Sequence, residues 1–310
     1  MKPEELKKVE GIYVVSITPF KDDLSLDEEG VRKNIRFLVD KGIKKGTGAV
    51  ITCCSTGECF SLTDEERIKI CEIVMDEAKD DIPVLVGCNH TNTQKVIEYT
   101  KHAESAGAAG VMIMPPYYGT ASDDMIIKFY SDIAESSAIG IMAYNNPGVT
   151  GIDIPVDVML KLSEIENVVL YKDCTENQFK AYITGRILID KLNVLDGSNG
   201  DVFVPASLMA GKTSFISSYS NFAPEIVLDI YKSYKEGDYK KACKLSTIFD
   251  ALNTLAYDYF NSQGGYITLI KESTNIRGVP AGPARPPLLP ITGDKKEKLV
   301  KTVKNILAMI

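Results

Sequence analysis

The chain has 310 residues, 45% hydrophobic and 25% charged, a globular composition that excludes a disordered or fibrous protein. Its 35 basic and 42 acidic residues give a net charge of −7, which lacks the basic footprint of a nucleic-acid binder. No apolar run reaches about 18 residues, so no membrane span is expected, and the Lys- and Glu-rich stretch Met1–Glu10 does not read as a signal peptide.

In chain order, short β-rich runs alternate with longer segments of helical periodicity. The β-rich runs are Ile12–Ile17, Ala49–Cys54, Val84–Cys88, Gly110–Met114, Gly140–Tyr144, Val168–Tyr171, Asn193–Leu195 and Ser214–Ser217. The helical segments following them are Leu26–Val39, Thr63–Ala78, Thr93–Ser105, Asp123–Glu135, Val156–Glu164, Asn177–Ile183, Val202–Met209 and Glu225–Lys235. Asp27 is a candidate N-cap, and Thr63 with Glu66 forms a capping box. Strands that are apolar almost throughout suit a parallel sheet covered by helices. Eight βα units without a linker predict an α/β fold, a (β/α)8 TIM barrel over 1–236. An open doubly wound sheet is the alternative, but it has fewer strands per domain. Beyond that point the pattern is helical only, at Tyr239–Tyr259, Tyr266–Asn275 and Lys295–Ile310. This predicts a C-terminal helical appendage, 237–310, packed on the barrel. The proline-rich stretch Gly282–Pro290 between its last two helices must be extended.

Seven cysteines are scattered, with no C-x-x-C pair, and His90 and His102 are the two histidines. No zinc-ligand spacing is present, so no metal is expected. The cysteines read as small, mostly buried hydrophobes in a reducing cytoplasm. His102 reads as a surface residue of an amphipathic helix. Ala210–Thr213 spells A-G-K-T, but the phosphate loop needs a glycine where Ala206 stands, so a Gly-Lys turn at a helix end is the better reading. Gly46 and Gly48 precede a strand rather than follow one, and Ile51 stands where a dinucleotide fingerprint has its third glycine.

Barrel strands carry active-site residues at their C-terminal ends, and three such ends are unusually polar. Cys54–Glu58, C-S-T-G-E, follows the second strand; its hydroxyls and backbone could cradle a carboxylate, or simply cap a turn. Tyr144–Pro147, Y-N-N-P, follows the fifth, and a phenol at a strand mouth is either core or proton shuttle. Pro115–Gly119, P-P-Y-Y-G, adds phenols to the same rim. Lys172 closes the sixth strand. Alternation places it on the face of Val168 and Leu170, where burial would lower its pKa and free an amine for Schiff-base formation. A plain pair with Asp173 is the equal alternative.

Together these motifs resemble the dihydrodipicolinate synthase / N-acetylneuraminate lyase family over nearly the whole chain. The likeness runs from Gly11-Ile12-Tyr13 and Thr18-Pro19-Phe20, through Ser55–Arg67, P-P-Y-Y, Y-N-N-P and Y-K-D, to G-P-A-R-P-P-L. The resemblance implies a Schiff-base-forming lyase acting on pyruvate or another small 2-oxo acid, without cofactor, in a homo-oligomer built as a dimer of dimers. It implies that Lys172 forms the imine and Tyr144 shuttles protons. Tyr118 would reach a neighbouring site across a dimer interface. Ser55 and Thr56 would hold the carboxylate, and the backbone of Gly197 and Ile216 would line the pocket. One position departs from the pattern. Tyr144–Gly151 reads Y-N-N-P-G-V-T-G, with Val149 where true synthases resemble one another in carrying an aldehyde-binding arginine. An apolar valine cannot replace a bidentate guanidinium, which counts against 4-hydroxy-tetrahydrodipicolinate synthase activity. Gly197–Gly200, G-S-N-G, is less acidic than the corresponding rim of sialic-acid lyases. Aldolase, dehydratase and deaminase chemistries remain, and a non-catalytic small-acid-binding barrel is the alternative of a different class.

Overall fold

A computed structural model describes residues 1–119, 121–200, 203–259 and 263–310. Eight strands form: β1 Gly11–Val15, β2 Gly48–Thr52, β3 Val84–Gly87, β4 Gly110–Ile113, β5 Gly140–Asn145, β6 Val168–Asp173, β7 Asn193–Asp196 and β8 Ser214–Ser217. Each pairs in parallel with the next, and β8 returns to β1, closing the (β/α)8 barrel that the alternating pattern predicts. The helix Glu28–Asp40 begins at Asp27, whose carboxylate accepts from the Gly30 N–H, and the Thr63/Glu66 capping box opens the helix Asp64–Ala78.

Alternation divides the strand side chains into two apolar layers. Tyr13, Ile51, Leu85, Met112, Met142 and Leu195 fill the barrel interior. Ile12, Val50, Val84, Val111, Ile141 and Phe215 face outward beneath the helices. One expectation fails here: Val168 lies in the outer layer, off the face of Lys172. Along β6, Val168 pairs with Ile141 but Leu170 pairs with Met142, so Val169 is an extra residue. This bulge turns both Val169 and Leu170 into the interior and resets the phase before Lys172.

A short helix, Pro3–Leu6, closes the N-terminal end of the barrel, a feature that composition did not reveal. Leu6 is fully buried there. Gly110 and Gly140 make room for it: an added Cβ would lie 2.5 Å and 2.8 Å from Leu6 Cδ2. The opposite end stays open, so polar chemistry gathers at the strand C-termini.

The helix Gln178–Leu188 runs past its expected end at Ile183, because Gly185 packs against Ala210 and the Lys212 stem, and packing outweighs glycine's poor propensity. The helix expected from Val202 is observed as Phe203–Ala210; Val202 lies outside the described residues. The stretch Tyr239–Tyr259 is not one helix but Tyr239–Ser246, a 3-10 turn at Thr247–Phe249, and Asp250–Tyr259. Ser246 and Thr247 hydroxyls donate to the carbonyls of Cys243 and Lys244, competing with the helical ladder at the break. Helices Gln263–Arg277 and Gly293–Leu307 follow. Between them the proline-rich segment passes beneath the loop after β1 without helix, but it is not extended throughout as expected: the chain turns at Pro286–Leu288, where the Leu288 N–H bonds the Arg285 carbonyl at 3.0 Å. At Gly282 (φ +63°), a Cβ would meet the Phe20 carbonyl oxygen at 1.7 Å, so only glycine fits.

Candidate active site

The pairing of β5 with β6 sets Tyr144 opposite Lys172 and Asn145 opposite Asp173. The first pair points into the barrel mouth and the second behind the sheet. Lys172 is 5% exposed, and its Nζ sits 3.9 Å from the Tyr144 ring centroid. Asp173 does not pair with it. Asp173 Oδ1 accepts from Asn145 Nδ2 at 3.0 Å and from the Thr175 N–H at 3.1 Å, and Asn145 also donates to Asp153 at 2.8 Å. Of the two sequence readings of Lys172, the inward amine is the observed one.

Burial is the largest influence on Lys172 and pushes its pKa down. Against it, the ionised Tyr144 phenolate and then the Cys174 and Cys54 thiolates pull the ammonium above its ordinary value, and with all three charged they prevail. Burial itself pushes Tyr144 up to about 12 and raises both thiols. The Tyr144 ring, with the lysine Nζ 3.9 Å from its centroid, favours the ammonium as well. The lowering expected from burial is therefore not what the structure gives: the groups around the amine outweigh desolvation and hold Lys172 above its ordinary value. Because only the amine is nucleophilic, trapping of a carbonyl on Lys172 is expected to accelerate as pH rises from neutral toward alkaline values. Rates of borohydride trapping across that range check the sign.

Ser55 and Thr56 lie in a series of turns after β2, both largely buried. Among the described residues Ser55 Oγ has no hydrogen-bond partner, so it is a donor held ready for a ligand acceptor. Cys53 (φ 51°) and Glu58 (φ 56°) take left-handed backbone at the two ends of the segment. The Thr18 hydroxyl donates to the Gly57 carbonyl at 2.7 Å.

Ser55, Thr56, Tyr144, Lys172, Gly197 and Ile216 all line one cavity of about 300 Å³. Gly197 permits the closest approach, since a Cβ there would lie 2.4 Å from Cys174 Sγ and 2.5 Å from the Asp173 carbonyl oxygen. Tyr118 is the exception: it is 90% exposed and outside this cavity. The Pro-Pro segment before it directs Tyr118 outward, while Tyr117 packs against the interior cluster.

Sequence reasoning missed several wall residues. Asn146 donates to the Tyr144 hydroxyl at 2.7 Å; its place in Y-N-N-P was the available signal. Asn199, Ser218 and Tyr266 bond to one another at the rim, with Asn199 donating to the Tyr266 hydroxyl and accepting from the Ser218 N–H at 2.9 Å. Tyr266 comes from the C-terminal helices, and no local pattern ties it to the barrel mouth.

A buried ion pair, also unforeseen, anchors the Ser55–Thr56 turns. Lys271 (1% side-chain exposure) donates to Glu58 (0%) at 2.7 Å, to the Thr18 carbonyl at 2.9 Å and to the Pro283 carbonyl at 2.7 Å. The Arg285 N–H bonds the other Glu58 oxygen at 2.8 Å. The Arg285 guanidinium pairs with Glu66 at 2.6 Å and lies 4.0 Å from the Phe20 ring centroid. Burial pushes Lys271 down to about 8, against the pull of Glu58.

The sequence over residues 8–306 matches the model of the dihydrodipicolinate synthetase family. The 4-hydroxy-tetrahydrodipicolinate synthase of Methanothrix thermoacetophila is 33% identical over 289 residues, covering 93% of this chain and 94% of its own. That of Methanococcoides burtonii is 33% identical over 298 residues, covering 96% and 98%. Among solved structures, dihydrodipicolinate synthase from Aquifex aeolicus superposes with a TM-score of 0.86 at 29% identity, covering 95% of this chain and 97% of its own. YagE, a prophage protein of the same family from E. coli K12 in complex with pyruvate, gives 0.87 at 26% identity, covering 96% and 98%.

Proposed function

Because the chain belongs to the dihydrodipicolinate synthetase family, and is thereby a Schiff-base-forming lyase using pyruvate or another small 2-oxo acid, we propose that Lys172 is its imine-forming lysine. The observation that carries this reading is the desolvated Lys172 amine set against the Tyr144 phenol beside an unpartnered Ser55 hydroxyl. The amine attacks the C2 carbonyl carbon, and loss of water gives a protonated imine. That imine accepts the electron pair left when a C3–H or C3–C4 bond breaks, giving an enamine. Tyr144 carries protons to and from these atoms, with Asn146 fixing its hydroxyl. Ser55 and Thr56 hold the 2-oxo acid's carboxylate. Tyr144→Phe is expected to lower kcat about 10²–10⁴-fold with little change in pyruvate binding, read by steady-state kinetics beside pyruvate titration.

The second substrate or product is, in this reading, one without a carboxylate at the Val149 position. Val149 lines the cavity, and among the described residues Lys172 is its one cationic side chain. The names of the relatives favour a second reading, 4-hydroxy-tetrahydrodipicolinate synthase. A coupled assay with pyruvate and aspartate semialdehyde separates the two. Negligible turnover at saturating aldehyde, with intact pyruvate trapping, supports the first; rapid saturable turnover overturns it in favour of the second.

The division into a barrel, 1–236, and a helical region, 237–310, belongs to the same proposal. The helical region supplies Tyr266 to the cavity wall and Lys271 and Arg285 to the turn that carries Ser55. A dimer of dimers would give the exposed Tyr118 a neighbouring site to enter. No helix among the described residues is long and apolar enough to cross a membrane. A cytoplasmic location agrees with seven free cysteines, four of them buried.

A further inference from the structure

We propose that a second cavity, of about 390 Å³ between the helices Gln178–Leu188 and Phe203–Ala210, binds a small zwitterion, an α-amino acid with an apolar side chain, through Lys212 and Asp196. Lys212 belongs to the A-G-K-T motif that no phosphate reading could use. Its helix ends at Ala210, and Gly211 (φ 73°) turns the chain with its N–H on the Ser207 carbonyl at 2.7 Å. The stem of Lys212 then passes Gly185, where an added Cβ would lie 3.2 Å from Lys212 Cε.

Lys212 is 3% exposed, yet among the described residues its ammonium donates to no acceptor and has no carboxylate within the 4.0 Å of an ion pair. The stem is buried but the ammonium is not sealed off: it opens onto the cavity, where an anion can reach it. Asp196, 6% exposed, lines the same cavity, with the Ser198 hydroxyl donating to it. Burial pushes the Asp196 carboxyl up, and Lys212, too far away for an ion pair, pulls it back toward the charged form. A molecule with a carboxylate for Lys212 and an ammonium for Asp196 bridges that gap. Ala181, Pro205, Ala206 and Met209 form an apolar wall that suits an aliphatic side chain. The cavity shares Cys174 and Gly197 with the candidate active site but reaches neither Lys172 nor Tyr144, so the inference stands apart from the catalytic reading.

The test is calorimetric titration of the full chain with L-leucine, leucinamide, which lacks the carboxylate, and 4-methylpentanoate, which lacks the ammonium. Leucine is expected to bind, with each analogue at least about tenfold weaker. Lys212→Met is expected to weaken leucine by a similar factor, and Lys172→Arg to leave it unchanged. Absence of binding by all three probes overturns the proposal. So does equal binding of leucine and its analogues, undiminished affinity in Lys212→Met, or loss of leucine binding in Lys172→Arg. Should Lys212→Met fail to fold, the comparison of the three probes on the wild-type protein decides alone.

Discussion

Replacing Lys172 with arginine is expected to abolish turnover of every 2-oxo acid that the wild-type chain accepts. The substitution keeps a long cationic side chain at a buried position, so the barrel has a residue of similar reach to pack. What it removes is the ability to shed a proton: a guanidinium stays charged at any accessible pH and offers no lone pair to a carbonyl carbon. Proximity of Tyr144 cannot compensate, because a phenol moves protons but forms no imine. Circular dichroism should show a folded protein, and steady-state assay should show activity at background. Substantial residual turnover would place the covalent step on another residue.

The second large effect is on stability. Lys271→Met is expected to destabilise the fold by about 3–5 kcal/mol, because Glu58 would remain as a buried carboxylate without its cation. The Thr18 and Pro283 carbonyls would lose their donor as well. Urea unfolding of both proteins reads the difference. Glu58→Gln in the same background should recover part of the loss, since the stranded charge is then gone. A loss well below 1 kcal/mol for Lys271→Met would contradict the account. The Glu58 backbone closes the turn that presents Ser55 and Thr56, with its N–H on the Ser55 carbonyl at 3.0 Å. Pyruvate KM should therefore rise in the Lys271 variant even at temperatures where it stays folded.

The barrel was readable because its signal repeats: eight apolar runs, each with a helical partner, leave few other architectures. Lys172 and Tyr144 were readable because both sit at strand ends beside polar residues that a core position would not carry. The phase of Val168 was not, since a bulge at Val169 comes from register against β5 rather than from the β6 sequence. Leu6 was missed because four residues of helix carry no periodicity, and its burial depends on glycines at two distant strands. The pairing of Glu58 with Lys271 was missed because it is long-range. They are 213 positions apart, and each alone resembles an ordinary surface charge. Tyr118 stands in the open, and the role implied for it rests on a second subunit.

The central claim is that one desolvated amine in the barrel mouth makes a covalent bond to a 2-oxo acid. Borohydride reduction of the wild-type protein with pyruvate, followed by peptide mass spectrometry, tests it most directly. The account predicts a single reduced adduct, on the peptide containing Lys172. An adduct on any other lysine, or none on a demonstrably folded protein, would contradict it.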